Sequence, residues 1–194
     1  MSVVSPETEL LAAYAALLRK WNPAINLIAP NTVAEIETRH IADAKQLADI
    51  SAGRNGSWVD LGSGGGLPGL VVAISRPDCA VTLVESDQRK AAFLRSAVRE
   101  LSLKNAVILC SRIEVADRLD AANLSARALA PLPQLMAYVD RHLASDGVAW
   151  LMKGRNWQAE VNEARKTWEF DLTPHPSTTE QDAAILEITG IRHV

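Results

Sequence analysis

The chain has 194 residues, 48% of them hydrophobic and 22% charged, a composition typical of packed globular proteins. This length suits one domain with a full core and is short for two ordinary domains. The formal net charge of −3 argues mildly against binding nucleic acid by bulk electrostatic attraction. Apolar runs stay well below the roughly 20 residues of a membrane span, and the acidic N-terminus does not resemble a signal peptide. We therefore expect a cytoplasmic protein without a membrane partner.

We predict that residues 1–55 form a helical extension at the N-terminus. Ser5 followed by proline is typical of a helix N-cap with proline in the first turn. Residues 32–35, with the sequence TVAE, fit a capping box and predict a second helix that ends near Asp49. Residues 51–57 are rich in Gly, Ser and Asn and predict a linker.

Residues 56–194 alternate between short apolar runs and helical stretches, which predicts one Rossmann-like α/β domain with a parallel sheet covered on both faces. Strands are predicted at residues 58–61, 81–85, 106–110, 124–128 and 148–152, with two more in the tail at 170–173 and 184–188. Helices are predicted at residues 70–75, 89–101, 133–143 and 157–168. Ligands of such sheets bind at the carboxyl ends of the strands, so functional residues should directly follow strands.

A glycine-rich loop with the sequence DLGSGGGLPG, residues 60–69, begins at the end of the first predicted strand. Glycines there allow a sharp turn and a close approach of the backbone to a ligand. Gly64, Gly66 and Gly69 also fit the dinucleotide pattern G-x-G-x-x-G, and Glu85 lies about where a ribose-binding acid belongs. The loop alone thus leaves two ligands open, a nicotinamide dinucleotide and S-adenosylmethionine.

Two acids favour S-adenosylmethionine. The carboxylate of Asp60 would repel a pyrophosphate, whereas it suits a ligand that carries an ammonium and a sulfonium group. Glu85 ends the second predicted strand, where its oxygens can accept hydrogen bonds from both ribose hydroxyls. A solvated acid at a strand end is the alternative for Glu85. The cofactor site predicted from the residues therefore comprises Asp60, Gly62, Gly64 and Glu85.

Basic residues supply the next candidates. Arg39 and His40 are adjacent on the second predicted helix and point in different directions, so at most one should face the ligand cleft. Arg127 follows a strand in an apolar context, where a guanidinium needs a partner. That partner is the cofactor, a base or a phosphate or, in the alternative, an acid such as Asp60 or Glu114. We take Arg127 as the candidate catalytic residue, since a guanidinium can orient a base or phosphate by a bidentate contact.

Positive charge is concentrated locally: residues 89–127 contain eight Lys or Arg against four acids. Such a surplus indicates a side that meets RNA, although solvated helix faces explain it equally well. Contacts with RNA are expected from Arg39, Arg89, Lys90, Arg95 and Lys153. We expect no metal site, because His40 has no Cys or His partner at metal spacing and the two cysteines are isolated.

An ordered series of motifs between residues 11 and 154 resembles the glucose-inhibited division protein B family of bacterial ribosomal RNA guanine-N7 methyltransferases. The glycine loop with its LPG ending is one member of the series. The others are KWN (20–22), NL (26–27), RHI (39–41) with Asp43, ES (85–86), RK (89–90), FL (93–94), SR (111–112) with Glu114, RA (127–128) and KG (153–154). A glycine loop alone is weak evidence, whereas this ordered series is specific.

The resemblance implies the class I S-adenosylmethionine-dependent methyltransferase fold, a Rossmann-like sheet of seven strands, mostly parallel, with N-terminal helices beside the cofactor cleft. It implies that Gly62, Leu67, Ile113, Glu114 and Arg127 hold the cofactor. It further implies methylation of guanine N7 in the 530 loop of 16S rRNA, at guanine 527 in conventional rRNA numbering. The expected partner is then 16S rRNA, the 30S subunit or an assembly intermediate.

Methyl transfer from a sulfonium is an in-line displacement, and guanine N7 has a free lone pair, so no general base is required. The sequence agrees, because it contains no Ser/His/Asp or Cys/His constellation. Two other functions remain open. One is an NAD-dependent oxidoreductase, which Asp60 and the lack of a Tyr-Lys or His-Arg signature disfavour. The other is a ribosome-assembly factor that binds rRNA without catalysis, which a damaged cofactor loop would indicate. No coiled-coil pattern suggests assembly, so we expect a monomer.

Overall fold

The computed structural model describes residues 5–194, in which seven strands form one sheet with the order β3-β2-β1-β4-β5-β7-β6. The strands are β1 Trp58–Leu61, β2 Val81–Val84, β3 Ala106–Leu109, β4 Ala121–Arg127, β5 Leu143–Lys153, β6 Trp168–Pro176 and β7 Ala184–His193. The α-helices are α1 Pro6–Ile25, α2 Ala42–Ile50, α3 Gly69–Ser75, α4 Gln88–Glu100, α5 Leu132–His142 and α6 Trp157–Ala164. A 3₁₀-helix, Pro30–Glu35, and a π-helix, Ile36–Ile41, lie between α1 and α2.

Strands β1 to β5 pair in parallel, and β7 is antiparallel to both β5 and β6. The predicted seven-stranded, mostly parallel sheet is therefore confirmed. The strand order reverses at β1, which lies between β2 and β4. In open α/β sheets this reversal creates a crevice for ligands at the carboxyl ends of the strands.

The sheet separates two hydrophobic clusters. On β5, Val148 and Trp150 belong to one cluster while Ala149 and Leu151 belong to the other, as the two-residue period of a strand requires. The first cluster contains residues of α1 to α4, and the second contains residues of α5 and α6. Helices α1 and α2 therefore share a core with α3 and α4. None of the helices in residues 5–194 has the length and apolar character to cross a bilayer.

The two predicted N-terminal helices differ in outcome. The cap of α1 is confirmed, since the Ser5 hydroxyl accepts a hydrogen bond from the Thr8 amide at 3.2 Å. The capping box at residues 32–35 is wrong, because Thr32 lies inside the 3₁₀-helix and its hydroxyl donates to the Ala29 carbonyl at 2.9 Å. Regular α-helix begins only at Ala42. Hydrogen bonds from a Thr side chain to nearby backbone compete with helix capping, and Thr32 makes such a bond instead of capping a helix.

The boundaries near the C-terminus also differ. The helix predicted at residues 157–168 ends at Ala164, and Trp168 begins β6 because its side chain packs into the second cluster. Strands β6 and β7 run further than predicted, since they pair with each other over almost their whole length. Strand β5 begins at Leu143, inside the predicted end of the preceding helix. Tertiary pairing has overridden local pattern at each of these ends.

Candidate functional site

Two adjoining cavities open at the carboxyl ends of the parallel strands. The first, here called the loop cavity, has a volume of about 340 Å³ and is lined by Gly62, Gly64, Glu85, Ile113 and Glu114 among others. The second, here called the arginine cavity, has a volume of about 560 Å³ and is lined by residues that include Arg39, His40, Asp43, Arg127 and Lys153. Ala128 lines both. One residue after β4 therefore forms part of a shared wall.

The glycine loop has a backbone conformation that only glycine adopts readily. Gly62 and Gly64 have φ angles of +65° and +55°. A Cβ atom at Gly62 would also come within 2.6 Å of Leu129 Cδ1. On the far side of the loop, the buried Tyr14 hydroxyl of α1 donates to the Gly65 carbonyl at 2.6 Å. The loop is thus fixed to the N-terminal helix while its glycine surface faces the loop cavity.

Glu85 connects the loops that follow β1 and β2. Its Oε2 accepts from the Gly64 amide at 2.8 Å, and its Oε1 accepts from the Asp87 amide at 2.7 Å. The side chain is 92% buried, at 8% exposure, yet it lines the loop cavity. Each carboxylate oxygen has a second lone pair, so hydroxyl groups of a ligand can still be bound. The structure thus brings Glu85 and Gly64 together as predicted.

Asp60 lies beneath the loop and lines neither cavity. Its Oδ1 accepts from the Ser125 hydroxyl at 2.6 Å, and its Oδ2 accepts from the Gly69 amide at 3.3 Å. Burial raises the pKa of this carboxyl to about 6, although the hydrogen bonds oppose the shift. The charge on Asp60 was expected to face the cofactor, whereas its contacts show that it supports the loop from below.

Leu67, Ile113 and Glu114, which the resemblance assigns to the cofactor, occupy different positions. Leu67 is buried in the first cluster, while Ile113 and Glu114 line the loop cavity. Tyr138 of α5 donates its hydroxyl to Glu114 Oε1 at 2.7 Å, which lowers the pKa of Glu114. Tyr138 also lines the loop cavity. Sequence reasoning missed Tyr138, because no local motif marks it.

Arg127 has no acidic group within salt-bridge distance in residues 5–194. The alternative that pairs Arg127 with Asp60 or Glu114 is therefore wrong. Its Nη1 lies instead 3.1 Å from Nδ1 of His40. Burial lowers the pKa of the guanidinium, since the charged form is partly removed from water. A half-buried cation without an acidic partner in the described residues is typical of a functional site.

Arg39 and His40 both line the arginine cavity, so the expectation that at most one faces the cleft is wrong. Arg39 reaches Glu180 at 3.0 Å and Glu35 at 3.5 Å. His40 turns toward Arg127 instead. Both residues belong to the π-helix, and helices of this type occur frequently at functional sites.

The predicted RNA-binding residues do not form one surface. Lys153 lines the arginine cavity and pairs with Glu160 at 2.6 Å, and its ammonium donates to the carbonyl of Ala130, which lines the loop cavity. Lys90 lines the loop cavity. Arg89 donates to a carbonyl at the end of α1, and Arg95 is exposed on α4. Arg89 and Arg95 are therefore the two of the five outside both cavities.

The loop between β6 and β7 closes one side of the arginine cavity. Ser177 and Glu180 line the cavity, and both Ser177 and Thr179 donate hydroxyl groups to Asp43 Oδ1. Gln46 of α2 donates its amide to a carbonyl at the end of β6 at 2.8 Å. Sequence reasoning missed this wall, because segments more than 130 residues apart in the chain form it.

The family description rRNA small subunit methyltransferase G matches residues 7–188. The chain belongs to this family. A protein of Paracoccus denitrificans (strain Pd 1222) with the name ribosomal RNA small subunit methyltransferase G is 70% identical over 98% of both chains. A protein of the same name from Ruegeria sp. (strain TM1040) is 46% identical over 98% of this chain and 95% of its own. The resemblance found in the sequence motifs is confirmed.

Solved structures support the fold. A methyltransferase from Geobacter sulfurreducens superposes with a TM-score of 0.65 at 13% identity, over 97% of this chain and 90% of the other. A putative S-adenosyl-L-methionine-dependent methyltransferase from Methanococcus maripaludis gives a TM-score of 0.62 at 11% identity, over 97% and 96%. The protein is a methyltransferase with the S-adenosylmethionine-dependent class I fold. Family membership and the intact glycine loop decide against the oxidoreductase and the catalytically inactive assembly factor.

Proposed function

We propose that the protein transfers a methyl group from S-adenosylmethionine, bound in the loop cavity, to N7 of a guanine in the arginine cavity. The guanine belongs to the 530 loop of 16S rRNA and is guanine 527 in conventional numbering. The single observation that carries this proposal is the shared wall at Ala128, which places the two cavities side by side at one edge of the sheet. Adjacent sites for donor and acceptor are what an in-line displacement needs.

The residues of the loop cavity fit S-adenosylmethionine. A side chain at Gly62 or Gly64 would occupy the space through which a ligand approaches the backbone. Glu85 offers carboxylate oxygens to the ribose hydroxyls, and Glu114, which lines the same cavity, is assigned to the adenine end. The cofactor supplies an electrophilic methyl group when bound. The protein binds and orients it, while Asp60 keeps the glycine loop in place.

The arginine cavity fits a guanine because it offers both kinds of hydrogen-bonding partner. Its lining includes three cations, Arg39, Arg127 and Lys153, and three acids, Asp43, Glu160 and Glu180. Guanidinium groups suit the O6 edge of guanine, whereas carboxylates suit its N1–H and amino donors. We assign Arg127 to O6 alone, because a bidentate contact to O6 and N7 would occupy the lone pair that accepts the methyl group. Acids in this cavity also compensate the positive charge that the methylated base acquires.

Docking of the RNA falls to the surface around the two cavities. Arg89 and Arg95 of α4 lie outside both cavities and are exposed, and Arg39 lines the arginine cavity and is partly exposed. Cationic side chains of this kind bind phosphates and position the substrate without reading its bases. The substrate is the rRNA or the 30S subunit, and we expect the enzyme to act as a cytoplasmic monomer.

The decisive experiment locates the methyl group. Purified protein is incubated with S-adenosylmethionine labelled in its methyl group and with 30S subunits that lack the modification, and the rRNA is then digested and analysed by mass spectrometry. We expect one 7-methylguanosine in the 530 loop, and none when the cofactor is omitted. Label on another atom of guanine, or in another region of the rRNA, would contradict the proposal. Running naked 16S rRNA in parallel decides which form is the substrate.

A further inference from the structure

Arg127 differs from the other two cations of the arginine cavity. Arg39 pairs with Glu180 and Lys153 pairs with Glu160, whereas Arg127 has no acidic partner in residues 5–194. The hydrogen bond of its side chain runs to Nδ1 of His40 at 3.1 Å. A guanidinium has donors only, so Nδ1 of His40 must accept. The ring is therefore neutral and carries its proton on Nε2.

The second nitrogen of the ring completes a directed chain of hydrogen bonds. Nε2 of His40 lies 2.7 Å from the Thr32 hydroxyl, to which it donates its proton. The Thr32 hydroxyl in turn donates to the Ala29 carbonyl at 2.9 Å. The carbonyl at one end can only accept and the guanidinium at the other can only donate. These two ends fix the donor and the acceptor in every hydrogen bond between them. The backbone at Ala29 thus fixes the ring that holds Arg127.

Charges around the imidazole support the same state. Burial lowers the pKa of His40 to about 4, and the positive charges of Arg127 and Arg39 act in the same direction. Asp43 and Glu35 oppose this shift but do not overcome it. The inference about His40 rests on the hydrogen-bond geometry and not on the pKa. A protonated ring would present an N–H to the guanidinium of Arg127, and the hydrogen bond between them would be lost.

We infer that His40 is a positioning residue, a neutral hydrogen-bond acceptor that holds one N–H of Arg127 and leaves the other guanidinium donors turned toward the methyl acceptor in the arginine cavity. An arginine side chain loses rotamer freedom when it binds, so prior fixation lowers the cost of reaching the reactive arrangement. The role in catalysis rests on the proposed function. The contact between the two side chains does not.

The activity test uses single-turnover methylation of 30S subunits by the full-length protein at saturating cofactor. Asn carries its Oδ1 close to the position of Nδ1, so His40→Asn keeps the acceptor, whereas His40→Phe removes it. We expect His40→Phe to slow methylation by about 10-fold, the effect of one lost hydrogen bond to a charged group. His40→Asn should restore most of that loss. His193→Phe, at an exposed histidine of β7, serves as the matched control.

A double-mutant cycle separates positioning from general damage. In the Arg127→Ala background, His40→Phe should cause no further loss of rate, because the two residues act as one unit. Equal losses from His40→Phe and His40→Asn, or a full additional loss in the Arg127→Ala background, would overturn the inference. A rate lost with Arg127→Ala but unchanged in His40→Phe would overturn it while leaving the proposed function intact.

A spectroscopic test is independent of the substrate. Two-dimensional ¹⁵N–¹H spectra that correlate the ring nitrogens with the carbon-bound ring protons report the tautomer. We expect His40 to show a protonated Nε2 and an unprotonated Nδ1 at neutral pH, and Thr32→Val to weaken this preference. A proton on Nδ1 or a charged ring would overturn the inference even if every variant folds and methylates. If the wild-type protein does not methylate guanine N7, the proposed function fails, and the spectrum still decides the contact.

Discussion

The loop cavity and the arginine cavity are built in different ways. The loop cavity takes its walls mainly from segments that directly follow β1, β2 and β3, and the glycine loop forms part of them. The arginine cavity joins the π-helix, the ends of β4 and β5 and the β6–β7 loop, and its walls combine apolar residues with six charged side chains. The first design suits one invariant ligand held by its shape. The second suits a base that must be oriented.

The largest effect should come from the arginine cavity. Arg127→Ala removes a positioned cation from the acceptor, so we expect the barrier of single-turnover methylation to rise by about 2 to 4 kcal/mol. The melting temperature should fall little, since the side chain of Arg127 bonds to His40 and no acid in residues 5–194 loses an ion-pair partner. Arg155→Ala, at an exposed residue after β5, is the matched control. A variant that melts early but methylates at the normal rate once folded would show a structural role instead.

Asp60 should make stability depend on pH. Burial raises its pKa from 3.8 to about 6, so between these values the folded protein binds a proton that the unfolded chain has released. The free energy of unfolding must therefore fall as the pH rises through this window. The variant Asp60→Asn does not titrate at this position. Relative to it, the free energy of unfolding of the wild type should fall by on the order of 2 to 3 kcal/mol across this window.

Urea unfolding of both proteins across the same pH range measures this difference. His40, whose pKa is lowered to about 4, changes stability in the opposite direction, but it is present in both proteins and cancels. A difference that stays constant with pH would show that Asp60 is not the buried acid described. Our assignment of Asp60 as the buried acid that holds the glycine loop would then be wrong.

A somewhat smaller effect is expected for cofactor affinity. Glu85→Gln turns one carboxylate oxygen into an amide that faces the backbone donors of Gly64 or Asp87. We expect the Kd for S-adenosylmethionine to rise by about 10- to 100-fold. Calorimetry measures it, with Glu100→Gln on the exposed face of α4 as control. Unchanged affinity would remove Glu85 from the cofactor site and with it the ribose assignment.

The smallest effect concerns RNA docking outside both cavities. If Arg95 binds a phosphate, Arg95→Ala should lower the slope of log K against log salt by about one unit. The matched control is Arg165→Ala. Arg165 is an exposed arginine at the end of α6, a different helix, where its guanidinium stacks over Phe170. Equal slopes for the two variants would show that Arg95 does not bind a phosphate and that the RNA docks on a surface other than α4.

The two cavities also differ in how far sequence predicts them. Gly62, Gly64 and Glu85 were predictable because their spacing follows the strand–loop–helix unit that creates the site. The partner of Arg127 was not, since His40 lies 87 residues away and its helix was expected to be α-helical. Nor did any pattern indicate Glu180, which approaches through a loop between two edge strands. Local motifs therefore indicate the loop cavity, whereas contacts between distant segments define the arginine cavity.

The division of labour between the cavities is tested most directly by titrating S-adenosylmethionine into Arg127→Ala in a calorimeter. Arg127 lines the arginine cavity, to which we assign the acceptor, while the family resemblance also implies a contact with the cofactor. If the arginine serves the acceptor, the Kd should stay within about threefold of the wild-type value, less than one hydrogen bond to a charged group contributes. A loss of affinity as large as that expected for Glu85→Gln, with a normal methylation rate at saturating cofactor, would contradict the account.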